Sequence, residues 1–119
     1  MIIAGFGFRR DATTASLRDA LDRARAGRTV AAFATAEDKA PALQPLADFL
    51  SLPVHALPPE ALAQPTLTRS ERVMAERGTG SLAEAAALAA AGPGGRLLGQ
   101  RSLSSDRMAA CALAEKGTP

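Results

Sequence analysis

The stretch that decides the fold opens the chain, where Met1–Arg10 has the sequence MIIAGFGFRR. A short apolar run that ends in glycines is typical of a buried strand followed by a turn, so we predict a strand over Met1–Gly7. Capping residues follow at Asp11–Thr14, and the apolar residues within Leu17–Ala24 recur at the spacing of one helix face. Gly27 then supplies a natural helix stop. The opening of the chain therefore predicts a strand, a Gly-rich turn and a helix.

Further segments with strand or helix patterns follow along the rest of the chain. We predict further strands over Thr29–Thr35, Pro53–Leu57, Arg96–Gly99 and about Arg107–Leu113, helices over Pro41–Leu50, Thr68–Arg77 and Ser81–Gly92, and one helical turn within Glu60–Gln64. Met108–Lys116 also has helical propensity, and the strand is the interpretation adopted there. This order predicts an α/β fold: a three-layer α/β/α sandwich with a mainly parallel sheet of about five strands and a C-terminal hairpin, in one domain over residues 1–119.

Charge and composition narrow the classes of function. The chain has 14 basic and 12 acidic residues, and this weak excess does not indicate a nucleic-acid partner. No apolar run approaches the length of a membrane span, and Met1–Ala4 is no signal peptide, so we expect no membrane partner and a cytoplasmic location. The single cysteine, Cys111, cannot form an intrachain disulfide, which fits a reducing compartment. One histidine and one cysteine make no recognisable metal cluster, and we predict no metal and no cofactor.

The turn at Gly5–Arg10 lies between a strand and a helix, where a dinucleotide-binding fingerprint would lie. That fingerprint needs a third glycine at the position of Arg10, and Glu37 and Asp38 come too late to be its acidic residue. We therefore predict no dinucleotide site there. The glycines still permit a ligand to approach the backbone, and Arg9 with Arg10 near a helix start would attract an anion. A tight turn with two solvated arginines is the alternative interpretation.

Two further segments combine polar groups with strand or helix ends. Gly78–Ser81 precedes the Ala-rich helix, where free N–H groups can hold a carboxylate or a phosphate. Ser81 and Glu84 also form a capping-box pattern, which explains them without a ligand. Lys39 follows the second strand, at the edge where parallel sheets bind ligands, and could pair with a ligand carboxylate. Its neighbours Glu37–Asp38 are candidates for a general base, unless the three residues form only a solvated loop.

Four segments with a recognisable pattern follow one another along the chain. They are Gly5–Arg10 (GFGFRR), Phe33–Lys39 (FATAEDK), Gly78–Leu88 (GTGSLAEAAAL) and Arg96–Leu98 followed by Arg101. In this order the chain resembles the family that comprises CobE and the C-terminal domain of CbiG, of cobalamin (vitamin B12) biosynthesis. The first and third segments look like that family's Gly-x-Gly-Cys-Arg-Arg and Gly-x-x-Ser-Val-x-Glu-Ala-Ala-Ala-Leu. Phe8 stands where the family commonly has Cys, and Asp11 stands where Gly is frequent.

The resemblance implies a function in the corrin pathway, namely binding of a precorrin or corrinoid intermediate, with its hydrolytic processing or its transfer as the further step. CbiG-type proteins are associated with hydrolytic opening of a lactone ring on a cobalt-precorrin, and the sequence leaves open whether this chain is an enzyme. Precorrins are flat and carry several carboxylates, so a site for them needs Arg or Lys around an apolar floor. The predicted substrate-binding residues are Gly5, Gly7, Arg9, Arg10, Lys39, Thr79, Gly80, Ser81 and Arg101.

Two other interpretations of the residues stay open. A phosphate- or nucleotide-binding module would use the same Gly-rich turns, although the chain has no Gly-Lys-Ser/Thr phosphate loop. A non-catalytic assembly partner would present the Ala-rich helix to other enzymes of the cobalamin pathway. The three interpretations differ in what binds: a carboxylate-rich macrocycle, a nucleotide or a protein.

Overall fold

The computed structural model describes residues 1–77 and 79–117; Gly78, the first residue of the predicted Gly-rich loop, and residues 118–119 lie outside them. Strands and helices alternate as far as the third strand, and three helical elements and then three strands follow. The elements are β1 (Ile2–Phe8), α1 (Thr14–Arg25), β2 (Ala32–Ala36), α2 (Ala40–Leu50), β3 (Val54–Leu57), a 3₁₀ helix (Pro59–Leu62), α3 (Glu71–Arg77), α4 (Leu82–Ala91), β4 (Arg96–Leu97), β5 (Ser102–Leu103) and β6 (Ala109–Glu115).

The strands form one sheet in the order β3-β2-β1-β6-β4, and β5 pairs with β6 as well. Strands β1, β2 and β3 pair in parallel, whereas β6 is antiparallel to β1, β4 and β5. Both β4 and β5 lie along the same edge of β6, with Leu97 opposite Ala114 and Leu103 opposite Ala110. The predicted C-terminal hairpin is therefore present, and the last segment is a strand rather than a helix. The predicted α/β fold class is confirmed.

Side chains of β1 alternate between the two faces of the sheet, as the two-residue period of a strand requires. Ala4, Phe6 and Phe8 belong to the core that α1 and α2 cover, where the rings of Phe6 and Phe33 meet edge to face at 4.7 Å. Ile3 points to the other face and packs in the core beneath α4. Helices therefore cover both faces of the sheet and give the three layers.

Gly5 is the residue that lets α4 lie close to the sheet. A Cβ at this position would come within 2.1 Å of the carbonyl oxygen of Ala83 and 2.5 Å of the amide nitrogen of Ala87, both of them backbone atoms of α4. No L side chain fits such a gap, and the short alanines of α4 complete the close approach. The Ala-rich composition and the opening glycines thus serve one packing contact.

Some predicted boundaries differ from the structure. Strand β2 begins at Ala32 rather than at Thr29, and β5 is a short strand that the sequence did not predict. Helix α3 begins at Glu71, and its first turn is capped by the hydroxyl of Ser70, which accepts a hydrogen bond from the Val73 amide at 3.4 Å. The helix predicted over Thr68–Arg77 therefore begins three residues later than predicted. No helix of residues 1–77 and 79–117 is long and apolar enough to cross a membrane.

Candidate functional site

A cleft opens at the carboxyl ends of β1 and β2 and has a volume of about 200 Å³. The end of β1, the start of β6 and the N-terminus of α4 form its base, and α3 and the turn between β5 and β6 form its walls. Its lining consists of Gly7, Phe8, Arg9, Lys39, Ser70, Arg72, Val73, Glu76, Arg77, Leu82, Ala83, Arg101, Leu103, Arg107, Met108, Ala109 and Ala110. Six of these side chains are basic and one is acidic. The cleft is therefore strongly cationic.

Two of the six basic side chains are already neutralised by neighbours. Arg77 makes a two-pronged pair with the carboxylate of Asp38, at 2.6 and 2.7 Å, and this pair lowers the pKa of Asp38. Arg72 pairs with Glu76 at 3.2 Å. Asp38 is thus held as the counter-ion of an arginine, which makes it a poor general base.

The other four basic side chains of the cleft are Arg9, Lys39, Arg101 and Arg107. Within the part of the chain that the structure describes, none of them makes an ion pair with a carboxylate. Four like charges around one cleft repel one another and raise the local positive potential. A ligand with several negative groups would remove that repulsion.

Lys39 follows the carboxyl end of β2, and its side chain is held against the end of β1. Its ammonium donates a hydrogen bond to the carbonyl oxygen of Phe8 at 2.6 Å and lies 4.8 Å from the centre of the Phe8 ring. Burial lowers the pKa of Lys39, and the nearby charge of Arg77 lowers it further, against the opposing effect of Asp38. The charge of Lys39 is therefore costly in the unliganded fold, and an anion beside it would offset that cost.

The floor of the cleft is apolar and ends at a helix start. Phe8, Ala109 and Ala110 supply most of the floor, and Leu82 and Ala83 are the first two residues of α4. The hydroxyl of Ser81 accepts the amide hydrogen of Glu84 at 3.3 Å, as an N-cap does. The amides of a helix's first turn carry partial positive charge, and at the start of α4 the carboxylate of Glu84 in the same turn offsets it.

Glu84 is a buried residue outside the cleft lining, and the sequence did not indicate its contacts. Its side chain is fully buried, and its carboxylate accepts four hydrogen bonds: from the amides of Leu67 (2.7 Å), Thr68 (2.9 Å) and Arg101 (2.8 Å) and from the Thr68 hydroxyl (3.1 Å). Of the predicted capping box, the bond from the Glu84 amide to the Ser81 hydroxyl is present. Glu84 bonds through its carboxylate to these other segments instead of to the Ser81 amide. Its carboxylate ties the segment before α3 and the segment carrying Arg101 to α4. An acidic residue on an otherwise apolar helix was the available signal.

The predicted site residues divide into two groups. Gly7, Arg9, Lys39 and Arg101 line the cleft. Gly5 faces the backbone of α4, Arg10 is exposed outside the cleft, and Thr79, Gly80 and Ser81 are buried just before α4 without lining it. Gly80 instead packs against Thr66 and Thr68, and its carbonyl oxygen accepts a hydrogen bond from the Ser70 amide at 2.7 Å. Arg72, Arg77 and Arg107 line the cleft without having been predicted, since nothing in their spacing places α3 or the β5–β6 turn over β1.

The remaining reactive side chains lie away from the cleft. Cys111 is fully buried in β6, and burial raises the pKa of its thiol. His55 is exposed on β3, at the far edge of the sheet. Among residues 1–77 and 79–117, no three His, Cys, Asp or Glu side chains are grouped so as to hold a metal ion.

Comparisons with known proteins agree with this fold. Residues 2–114 match the family described as the cobalamin synthesis G C-terminus. The crystal structure of CobE, a protein from the cobalamin (vitamin B12) biosynthetic pathway, is 40% identical, with a TM-score of 0.84 over 96% of this chain and 89% of that one. The cobalamin biosynthesis protein chiG from Agrobacterium tumefaciens is 33% identical, with a TM-score of 0.74 over 99% of this chain and 100% of that one. No curated protein sequence matches the chain.

Proposed function

Since the chain belongs to the cobalamin synthesis G C-terminus family, and so to cobalamin biosynthesis, we propose that its cleft binds a precorrin or corrinoid intermediate through the carboxylates of that intermediate. One observation carries the proposal: four basic side chains without a carboxylate partner, among the described residues, face one apolar floor. A guanidinium group binds a carboxylate with two parallel hydrogen bonds, which suits the acidic arms of such a ring.

The apolar floor suits the ring itself. Phe8 and Leu82 line the same cleft as the basic side chains, so the ring of a flat macrocycle can contact them while its carboxylates reach the charged groups. The aromatic ring of Phe8 already has the Lys39 ammonium above it. A cysteine at position 8 would lose this contact with the Lys39 ammonium. Phe8 therefore contributes apolar surface to the cleft instead of a reactive group.

The size of the cleft argues for partial enclosure of the ligand. Pockets that enclose a drug-sized ligand have volumes of roughly 300–1,000 Å³, and this cleft has about 200 Å³. A corrin macrocycle would therefore be held along one edge, and the rest of it would stay accessible to a second protein. Such an arrangement supports transfer of the intermediate to another enzyme of the pathway, in the cytoplasm, where the buried thiol of Cys111 also fits.

Assistance in hydrolysis is the second candidate function, and Lys39 is the observation that favours it. Burial lowers its pKa, so Lys39 releases its proton more readily than an exposed lysine does. Its ammonium lies at the floor of the cleft, where it could move a proton to or from a bound lactone. Turnover of such a lactone by the chain alone, lost in Lys39→Met, would establish this activity.

Titration with hydrogenobyrinic acid, followed by visible absorption, tests the proposed binding. Arg9→Ala and Lys39→Ala should each weaken binding on the order of tenfold, because each removes a charge-assisted hydrogen bond. Arg10→Ala and Arg28→Ala are matched controls, since both arginines are exposed and lie outside the cleft, and these variants should bind as the unmodified chain does. An unchanged spectrum with the unmodified chain, or equal losses in all four variants, would refute the proposal.

A further inference from the structure

Arg107 has a backbone conformation that disfavours an arginine. Its φ is +61°, in the left-handed region, where the Cβ of an L-residue crowds the backbone. Arg107 closes the turn between β5 and β6: its amide donates to the carbonyl oxygen of Ser104 at 2.9 Å, and the Ser104 amide donates to Ala109 at 2.8 Å. Glycine, which has no Cβ, adopts this left-handed conformation without that crowding. An arginine here opposes folding instead of supporting it.

The guanidinium group of Arg107 brings no compensating contact. Within residues 1–77 and 79–117 it makes neither an ion pair nor a side-chain hydrogen bond, although the residue is exposed and lines the cleft. Arg107 shares the cleft lining with Arg9, Lys39 and Arg101, which carry the same charge and likewise have no carboxylate partner among the described residues. Strain and repulsion both make this position unfavourable, and a strained residue that persists at a cleft points to a ligand.

The turn holds Arg107 in place from both sides. The carboxylate of Asp106 accepts hydrogen bonds from the hydroxyls of Ser16 (2.5 Å) and Ser104 (2.6 Å) and from the amide of Met108 (3.0 Å). The Ser105 amide donates to the carboxylate of Asp19 at 2.7 Å. These bonds fasten the turn to α1, so the backbone of Arg107 is fixed before any ligand arrives. Such pre-organisation lowers the entropy lost on binding.

We infer that Arg107 is a binding residue that clamps one carboxylate of the ligand from the rim of the cleft, and that its strained turn is kept for this purpose. The guanidinium would donate two hydrogen bonds to that carboxylate, in the cleft that Arg9 and Arg101 also line. The inference rests on the proposed function and adds a residue that no resemblance or spacing indicated.

Arg107→Gly separates binding from folding, because the two effects have opposite signs. Glycine tolerates a positive φ, and the change also removes one of four like charges, so the midpoint of thermal unfolding should rise by about 2–5 °C. The same variant should bind hydrogenobyrinic acid on the order of tenfold more weakly. Arg107→Lys keeps the charge but loses the paired donors of the guanidinium, so its affinity should lie between those of the unmodified chain and Arg107→Gly.

Ser51→Gly is the matched control. Ser51 also has a positive φ, of 58°, but it ends α2 outside the cleft, so the variant should gain thermal stability and keep full affinity. Full affinity in Arg107→Gly, or a lower unfolding temperature of this variant than of the unmodified chain, would overturn the inference. The proposed function would still be tested separately by Arg9→Ala. Absence of binding by the unmodified chain would overturn the proposed function and this inference together.

Discussion

Gly5 and Gly7 lie on the same face of β1 but have different neighbours. Gly7 lines the cleft, and a Cβ there would be crowded but not excluded, at 3.2 Å from the Leu82 Cβ and 3.3 Å from the Ala83 amide nitrogen. Gly5 lies one step deeper, against backbone atoms of α4 that cannot shift without moving the helix. At the scale of single residues, the turn that opens the site therefore depends on a packing contact behind it.

Gly5→Ala should destabilise the fold strongly. The added methyl group would collide with the Ala83 carbonyl and the Ala87 amide, and overpacking of this kind costs about 3 kcal/mol. Urea unfolding measures the change in the free energy of unfolding. Gly99→Ala is the control, because nothing lies within 4 Å of a Cβ at Gly99. Equal stability of the two variants would show that α4 does not lie as close to β1 as described.

The neighbouring residues Arg9 and Arg10 show what the sequence could and could not predict at this scale. A pair of arginines after a strand correctly indicated a cationic turn. Which of the two faces the cleft depends on how the chain leaves β1, and Arg9 is fixed by its amide, which donates to the carbonyl oxygen of Met108 at 2.9 Å. That bond joins residues distant in the sequence, so no local pattern could reveal it.

At the scale of elements, α4 is the organising helix of the site. Its N-terminus supplies part of the floor, and its buried Glu84 fastens two segments that frame the cleft. The helix and its start at Ser81 were predictable from the apolar run and the capping pattern. The partners of Glu84 were not, because they come from segments that the pattern leaves as loops.

Glu84→Gln should destabilise the fold by about 2 kcal/mol, because one oxygen that now accepts two hydrogen bonds becomes an amide donor that faces other donors. Urea unfolding gives the free energy, and hydrogen exchange should show faster exchange of the Arg101 amide. Glu71→Gln is the control: Glu71 is exposed on α3, and its loss should cost less than about 0.5 kcal/mol. Unchanged protection of the Arg101 amide in Glu84→Gln would contradict this role.

At the scale of the whole molecule, the cleft arises where the parallel part of the sheet meets its antiparallel part. The carboxyl ends of β1 and β2 bring Arg9 and Lys39 to one edge, which the strand order alone predicts. The return strand β6 brings the β5–β6 turn and Arg107 to the same edge, and α3 adds Arg72 and Arg77. These last contributions depend on the path of long connections over the sheet, so the sequence pattern did not indicate them.

Amide chemical shifts recorded during titration with hydrogenobyrinic acid test whether the ligand binds in the cationic cleft. We expect the largest changes around the cationic cleft, at Gly7–Arg9, Lys39, Leu82–Ala83 and Arg101–Met108. We expect no chemical-shift change at Gly92–Gly95, which line a separate depression at the other end of α4. Changes centred on Gly92–Gly95, or no changes at all at saturating ligand, would contradict a binding site at the carboxyl ends of β1 and β2.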